Sequence, residues 1–202
     1  MSTTVDYYFT PQSPWTYLGH ARFAHMAHAS GATVRVLPID LGGKVFPISG
    51  GLPLGQRAPQ RQAYRLLELQ RYSDQLHAPF NLHPRYFPVA DDDAARLIIA
   101  VDLHDGADAA MQIGGAIFSA VWVRERNLAD AQVLAELLAE CGLSAQRLAQ
   151  SREPAVQQRY EANTQQAIDA GVFGAPSYVL GGELFWGQDR LDFVERKLQA
   201  AS

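Results

Sequence analysis

Ser13-Pro14-Trp15-Thr16 sets two hydroxyls with two residues between them, shortly after the apolar run Val5-Asp6-Tyr7-Tyr8-Phe9 and directly before an amphipathic segment opening at Tyr17. A strand that turns straight into a helix presents the helix's first backbone N–H groups at the tip of a sheet, where they attract anions. Ser13 is a favoured N-cap, and Pro14 suits the first helical position, where its missing N–H costs nothing. Alone, the pair only punctuates a helix start. Helix starts of this kind also stabilise thiolates, because the dipole and the free N–H groups favour negative sulfur. With hydroxyls at Ser13 and Thr16 the chain cannot run dithiol chemistry there, so a thiolate at this site has to arrive on a ligand.

Two later stretches could complete such a site. Val172-Phe173-Gly174-Ala175-Pro176-Ser177 leads into a strand, and Pro176 has no N–H and forces Ala175 to be extended. The Ala175 backbone is then free to pair with a peptide lying across the site, although an ordinary loop end reads the same way. In Trp186-Gly187-Gln188-Asp189-Arg190, Asp189 opens the last helix as an acidic cap. Beside the other two pieces it becomes a grip for an α-ammonium, with Gln188 and backbone N–H groups for the neighbouring carboxylate. A γ-glutamyl end carries that pair of charges.

Other reactive side chains lack partners. Ser13 has no flanking glycines of a nucleophile elbow and no histidine tied to it, which argues against a hydrolase triad. His20, His25 and His28 read as a solvated or half-buried helix face, no metal is expected, and Asp91-Asp92-Asp93 reads as a solvated helix cap. Cys141, the only cysteine, precedes Gly142 at a helix end and reads as a buried structural thiol, so no disulfide forms within the chain.

The elements that must position these groups follow from periodicity. A strand over Thr3–Phe9, a helix over Tyr17–Ser30 and a strand over Thr33–Ile39 make a right-handed βαβ unit. Leu41 to Pro59 is rich in glycine and proline and reads as a long functional loop. Helical patterns then cover Ala63–Leu76, Ala94–Leu103, Ala107–Arg124 with a break at Gly114-Gly115, Asp130–Cys141, Ser144–Gln150 and Pro154–Ala170, with a Pro-rich loop from His77 to Ala90. Ser177–Leu180, Gly181-Gly182 and Glu183–Trp186 form a hairpin, and Asp189–Ala200 a final helix. The fold class is therefore α/β: a thioredoxin-like fold, from residues 1–40 and 171–202, interrupted by an all-helical insertion, residues 41–170, placed as a lid over the tip that carries Ser13.

The 202 residues, 48% of them hydrophobic, suffice for a sizeable core, and a net charge of −4 with no basic run suggests neither nucleic acid nor an anionic membrane as partner. No charged and apolar leader and no spanning run are present, so a cytoplasmic protein is expected.

Ser-Pro-Trp-Thr-Tyr-Leu after the first strand, Leu69-Gln70-Arg71-Tyr72, Val172-Phe173-Gly174-Ala175-Pro176 and Trp186-Gly187-Gln188-Asp189-Arg190-Leu191 together resemble the 2-hydroxychromene-2-carboxylate isomerases. Those are relatives of kappa-class glutathione transferases within the disulfide-oxidoreductase-like group, and the resemblance covers essentially the whole chain. It implies glutathione as cofactor, its thiolate stabilised by Ser13 as the catalytic residue, with glutathione contacts at Ala175, Pro176, Trp186, Gly187, Gln188 and Asp189. It also implies a small aromatic carboxylate substrate near Lys44, Gln56, Arg57 and Tyr86, and a homodimer. Arg61 is a further candidate for the substrate carboxylate. Two departures stand out: Gln188 replaces the usual asparagine, and Ala63 precedes Tyr64 where lysine is common. The alternatives are a kappa-like transferase and a non-catalytic thioredoxin-like binding module.

Overall fold

Alternation in the first strand builds the sheet. In the computed structural model, which describes residues 3–201, β1 (Thr4–Phe9) sends Val5, Tyr7 and Phe9 into one apolar cluster and Tyr8 into a second on the opposite face. α1 (Pro14–Ser30) crosses to β2 (Thr33–Pro38), which pairs parallel with β1 from Thr4 opposite Thr33 to Phe9 opposite Pro38. β3 (Ser177–Leu180) pairs antiparallel with the other edge of β1, Val5 opposite Leu180 and Tyr8 opposite Ser177. β4 (Glu183–Trp186) follows through Gly181-Gly182, whose φ values of 59° and 79° are those a tight hairpin turn demands. The strand order is β2-β1-β3-β4, the thioredoxin-like arrangement the patterning predicts.

Between β2 and β3 lie a π-helical turn (Leu41–Val45), α2 (Phe46–Ser49), a 3-10 turn (Leu54–Gln56), α3 (Pro59–Leu76), α4 (Asp92–Asp105), α5 (Ala107–Trp122), α6 (Ala131–Glu140), α7 (Gln146–Gln150) and α8 (Pro154–Asp169). A 3-10 turn (Gln188–Arg190) and α9 (Leu191–Ala201) finish the chain. Among the described residues no helix is long and apolar enough to cross a membrane.

Several boundaries differ from the periodicity. The expected long loop from Leu41 to Pro59 is partly helical, because Asp40 accepts the Gly43 N–H at 2.7 Å and Val45 is buried against Tyr8 and Leu37. α3 begins at Pro59, four residues before the expected start. α5 runs unbroken through Gly114-Gly115, since those glycines admit the His20 ring: a Cβ on Gly115 would lie 3.2 Å from the imidazole.

The helical insertion reaches further than the tip of the sheet. Leu97, Ile113, Phe118 and Trp122 share one apolar cluster with Val5, Tyr7, Phe9 and Tyr178, while Ala167 of α8 closes the second face over Tyr8, Leu37 and Ile39. Sheet and insertion thus bury one another, a consequence of a four-stranded sheet having two apolar faces to cover.

At the centre of the first face the Tyr7 and Tyr178 rings stack 5.3 Å apart, and His20, expected on a solvated or half-buried face with His25 and His28, is instead 8% exposed. His25 and His28 do face solvent. The His20 Nε2 lies 2.9 Å from the Met111 carbonyl, so that nitrogen carries the proton, and Nδ1 accepts from the Tyr7 hydroxyl at 3.2 Å. Burial lowers the imidazole pKa to about 4. Between the ordinary value of 6.5 and about 4 the unfolded chain binds a proton that the folded chain refuses, so stability falls as pH falls through that window. Denaturant unfolding should therefore show a loss of about 2 kcal/mol between pH 7 and pH 5 from this group, and His20→Gln should flatten that slope; an equally steep variant would contradict it.

Candidate active site

The N-terminus of α1 is built by its cap. Ser13 Oγ accepts the Thr16 N–H at 3.2 Å and the Ser13 carbonyl accepts the Tyr17 N–H at 3.1 Å. Pro14 has no N–H and no acidic side chain occupies the first turn, which leaves the Trp15 N–H pointing out of the helix with no partner among the described residues. The Ser13 hydroxyl, 7% exposed, donates to the Ala175 carbonyl at 3.5 Å, the long limit of a hydrogen bond. Its proton is weakly held and can swing to a better acceptor.

Across from this terminus the Ala175–Pro176 peptide bond is cis. The Gly187 N–H donates to the Pro176 carbonyl at 2.9 Å, fastening the end of β4 to the proline loop, and the Ser177 hydroxyl donates to the Gly174 carbonyl at 2.8 Å. The Ala175 N–H makes no hydrogen bond among the described residues. Trp186, half exposed, lies 4.8 Å from Phe173, and Gly174 packs beneath it so closely that a Cβ would collide with the indole. The result is an aromatic wall beside an open backbone donor.

Gln188 and Asp189 diverge. The Gln188 side chain, expected to face a ligand carboxylate, is 2% exposed and turned onto α1, where Arg22 Nη2 donates both to its carbonyl, at 2.9 Å, and to its side-chain oxygen. Gly19 permits this, since a Cβ there would lie 2.8 Å from the Gln188 Cβ. Asp189 lies within a 3-10 turn (Gln188–Arg190), α9 starting only at Leu191, and its partly exposed carboxylate accepts from Arg190 Nη1 at 2.5 Å. Tyr72 of α3 stands edge-on to Trp15 at 6.0 Å, and its pKa is raised by burial and then by Asp189. Tyr72 and Asp189 therefore border the same side of the α1 terminus.

The residues expected around a substrate lie on two loops. Lys44, on the π-helical turn, and Gln56 are exposed. Arg57 Nε donates to the Leu52 carbonyl at 2.8 Å, and its guanidinium lies 6.0 Å from the Phe46 ring. Tyr86, between α3 and α4, is covered by Arg85 at 5.3 Å. No hydrogen bond, ion pair or ring contact joins any two of these four.

One residue with no signal in the sequence organises the approach to Ser13. Asp91, expected as a solvated cap, does not cap α4 with its side chain. Its carboxylate accepts from the Thr10 hydroxyl, from the Gln12 N–H at 3.0 Å and from Gln12 Nε2 at 3.0 Å. Gln12 Oε1 in turn accepts the Val89 N–H at 3.3 Å. Burial pushes the Asp91 pKa up, the Thr10 and Gln12 hydrogen bonds pull it down, and among the described residues it forms no ion pair. Cys141, expected buried, is half-buried, its thiol pKa raised by burial.

A four-stranded β2-β1-β3-β4 sheet with a helix terminus facing a cis-proline defines a thioredoxin-like protein, and the chain matches the DSBA-like thioredoxin domain family over residues 4–199. It is 33% identical to a 2-hydroxychromene-2-carboxylate isomerase of Pseudomonas putida over 95% of this chain and 92% of that protein. To the protein of the same name from Sphingobium xenophagum it is 29% identical over 98% of this chain and 99% of that one. A solved structure of such an isomerase superposes with a TM-score of 0.79 at 27% identity, covering 98% of this chain and 95% of the other. The chain belongs to the 2-hydroxychromene-2-carboxylate isomerase family within the DSBA-like thioredoxin group, and it is an enzyme.

Replacing Asp91 by Ala leaves the Thr10 hydroxyl and both Gln12 donors without their acceptor, which should lower unfolding free energy by about 3 kcal/mol in urea titrations. Asp91→Asn, which keeps an acceptor, should lose less than half of that. Equal stability of Asp91→Ala and the native chain would show that the carboxylate does not hold the Thr10–Ser13 segment.

Proposed function

We propose that the protein is a glutathione-dependent isomerase that interconverts a 2-hydroxychromene-2-carboxylate and a trans-hydroxybenzylidenepyruvate-type aromatic acid. The carrying observation is a helix terminus that is ready for a thiolate in a chain that places no thiol there: Ser13 and Thr16 fill both positions, and Cys141 lies elsewhere, after α6. The donors suit a γ-glutamyl thiol peptide. The Trp15 N–H and the loosely engaged Ser13 hydroxyl face the place of a sulfur, the unpaired Ala175 N–H suits an extended backbone, and the Asp189 carboxylate suits an α-ammonium.

When bound, glutathione supplies a thiolate whose reversible addition to the conjugated double bond allows rotation and returns the thiol unchanged. The chain's own contribution is electrostatic. Ser13 turns its hydroxyl from the Ala175 carbonyl toward the negative sulfur, and the positive end of α1 lowers the thiol pKa from about 8.5. Phe173 and Trp186 shield one side from water, and Lys44, Gln56, Arg57 and Tyr86 supply the polar groups that orient the substrate carboxylate.

Ser13→Ala should return the bound thiol toward a pKa of about 8.5, read from thiolate absorbance, and cut turnover by about tenfold to a hundredfold while glutathione affinity stays within a few-fold. Unchanged turnover at neutral pH would overturn the role of Ser13. Asp189→Asn should weaken glutathione binding by about tenfold, a loss limited by the 36% exposure of the carboxylate and by Arg190. Calorimetry giving the native affinity would remove Asp189 from the site.

A further inference from the structure

A buried polar group without a partner is rare in a folded protein, and each one calls for a water, an ion or a ligand. Among the described residues five side-chain atoms are of this kind, and four of them meet along one face of α1: Thr16 Oγ1, Arg22 Nε, Tyr178 Oη and Gln188 Nε2. The fifth, Trp122 Nε1, belongs to α5. Thr16, Gly19 and Arg22 follow at three-residue intervals and share that face, with Gly19 in the middle. A Cβ on Gly19 would stand 3.2 Å from Tyr178 Oη and 2.8 Å from the Gln188 Cβ, so β3 and the turn after β4 both come up against the same bare point of the helix. Arg22 Nη2 reaches the Gln188 carbonyl at 2.9 Å from the next turn.

The stacked tyrosines show how the gap arises. The Tyr7 and Tyr178 rings are nearly parallel, yet the Tyr7 hydroxyl meets His20 at 3.2 Å while that of Tyr178 comes up against Gly19, the residue before it in α1, which has no side chain to offer. Burial raises the Tyr178 pKa and the Arg22 charge pulls it down, so the hydroxyl keeps its proton with the guanidinium in electrostatic reach. The four atoms are complementary to water. Arg22 Nε and Gln188 Nε2 only donate, whereas the Thr16 and Tyr178 hydroxyls donate or accept. Water accepts and donates in turn, and an internal water makes about three hydrogen bonds. Six residues of helix separate Thr16 from Arg22 by about 9 Å along the axis, a span for a short water bridge rather than for a single ion.

We propose that Thr16, Arg22, Tyr178 and Gln188 enclose one or two ordered water molecules that join the first turn of α1 to the turn carrying Gln188 and Asp189. The bridge runs past Gly19, where any side chain would close it. Arg22 holds the carbonyl and the side-chain oxygen of Gln188 directly, and water holds its Nε2 from the other side. Tyr178, in the middle of the sheet, thereby becomes a positioning residue for the turn that presents Asp189. That this turn receives the α-ammonium of glutathione rests on the proposed function; the internal water does not.

A high-resolution crystal structure of the native chain without glutathione, with a second crystal soaked in bromide, tests the water, and titration calorimetry tests the positioning. Density for water is expected within hydrogen-bond distance of Tyr178 Oη and of at least one of the other three atoms, with no anomalous signal from bromide there. Direct hydrogen bonds among the four side chains with no water between them, or bromide in the same place, overturn the proposal. Tyr178→Phe keeps the stacked ring and removes the hydroxyl. It should weaken glutathione about threefold to tenfold and leave unchanged the affinity for a glutathione analogue that lacks the α-ammonium. Native affinity for glutathione in the variant, or equal losses for both ligands, overturns the positioning role. If Tyr178→Phe fails to fold, Thr16→Val serves the same comparison. A native chain that holds the water and binds no glutathione supports the internal site and removes the glutathione reading instead.

Discussion

The antiparallel pairing of β1 with β3 is the constraint on which the site depends. It joins the first and last parts of the chain, Tyr8 opposite Ser177, and so brings the Ser13 hydroxyl within 3.5 Å of the Ala175 carbonyl across 162 residues of sequence. Neither half is a site alone. The α1 terminus offers donors with nothing opposite them, and the proline loop offers an open backbone with no charge to bind. Because non-local pairing has to overcome loop-closure entropy, the helices in between must supply enough burial to hold it. They do so by covering both faces of the sheet, Phe118 and Trp122 on one and Ala167 on the other.

Positioning around Ser13 uses polar groups at two depths. His20, deep in the core, is kept neutral by burial and ties α1 to β1 and α5 through Tyr7 and Met111. Nearer the surface, Asp91 ties the Thr10–Gln12 segment to the insertion. A buried carboxylate without a cation is costly unless its lone pairs are filled, and here three donors fill them. The segment before the cap is thereby held from the α4 side while the helix behind it is held from the α5 side. Each tie reaches one residue of the insertion, Met111 or Asp91, so that block positions the segment around Ser13 as well as covering the sheet.

The electrostatics of the two flanks are opposite. Around Asp189 the carboxylate is partly offset by Arg190, and Gln188 is braced by Arg22 instead of being offered to a ligand. The Gln188 side chain is long enough to reach Arg22 over Gly19. On the α3 flank Arg57, Arg61 and Arg65 have no acid between them. One flank carries a carboxylate and the other carries arginines, with the positive end of α1 between.

Local rules made much of this readable from the residues. The Ser13-Pro14 cap, the β3–β4 hairpin around Gly181-Gly182 and the extended Ala175 before Pro176 each depend on neighbours in sequence, so their conformations are set by residue type. The sheet order followed because βαβ handedness and a terminal hairpin leave few topologies. What tertiary packing alone decided is which polar side chains turn inward. Asp91 and Asp92 are alike in sequence, yet only Asp91 meets Thr10 and Gln12, eight tens of residues away in the chain and adjacent in space. His20 and His28 share a helix, but only His20 finds the gap that Gly114 and Gly115 leave in α5. Gln188 reads as a group for a ligand carboxylate until Gly19 lets Arg22 and α1 close on it. A side chain's charge and length are written in the sequence, but its partner is fixed by long-range contact, and partners decide whether a group braces the fold or is left for a ligand.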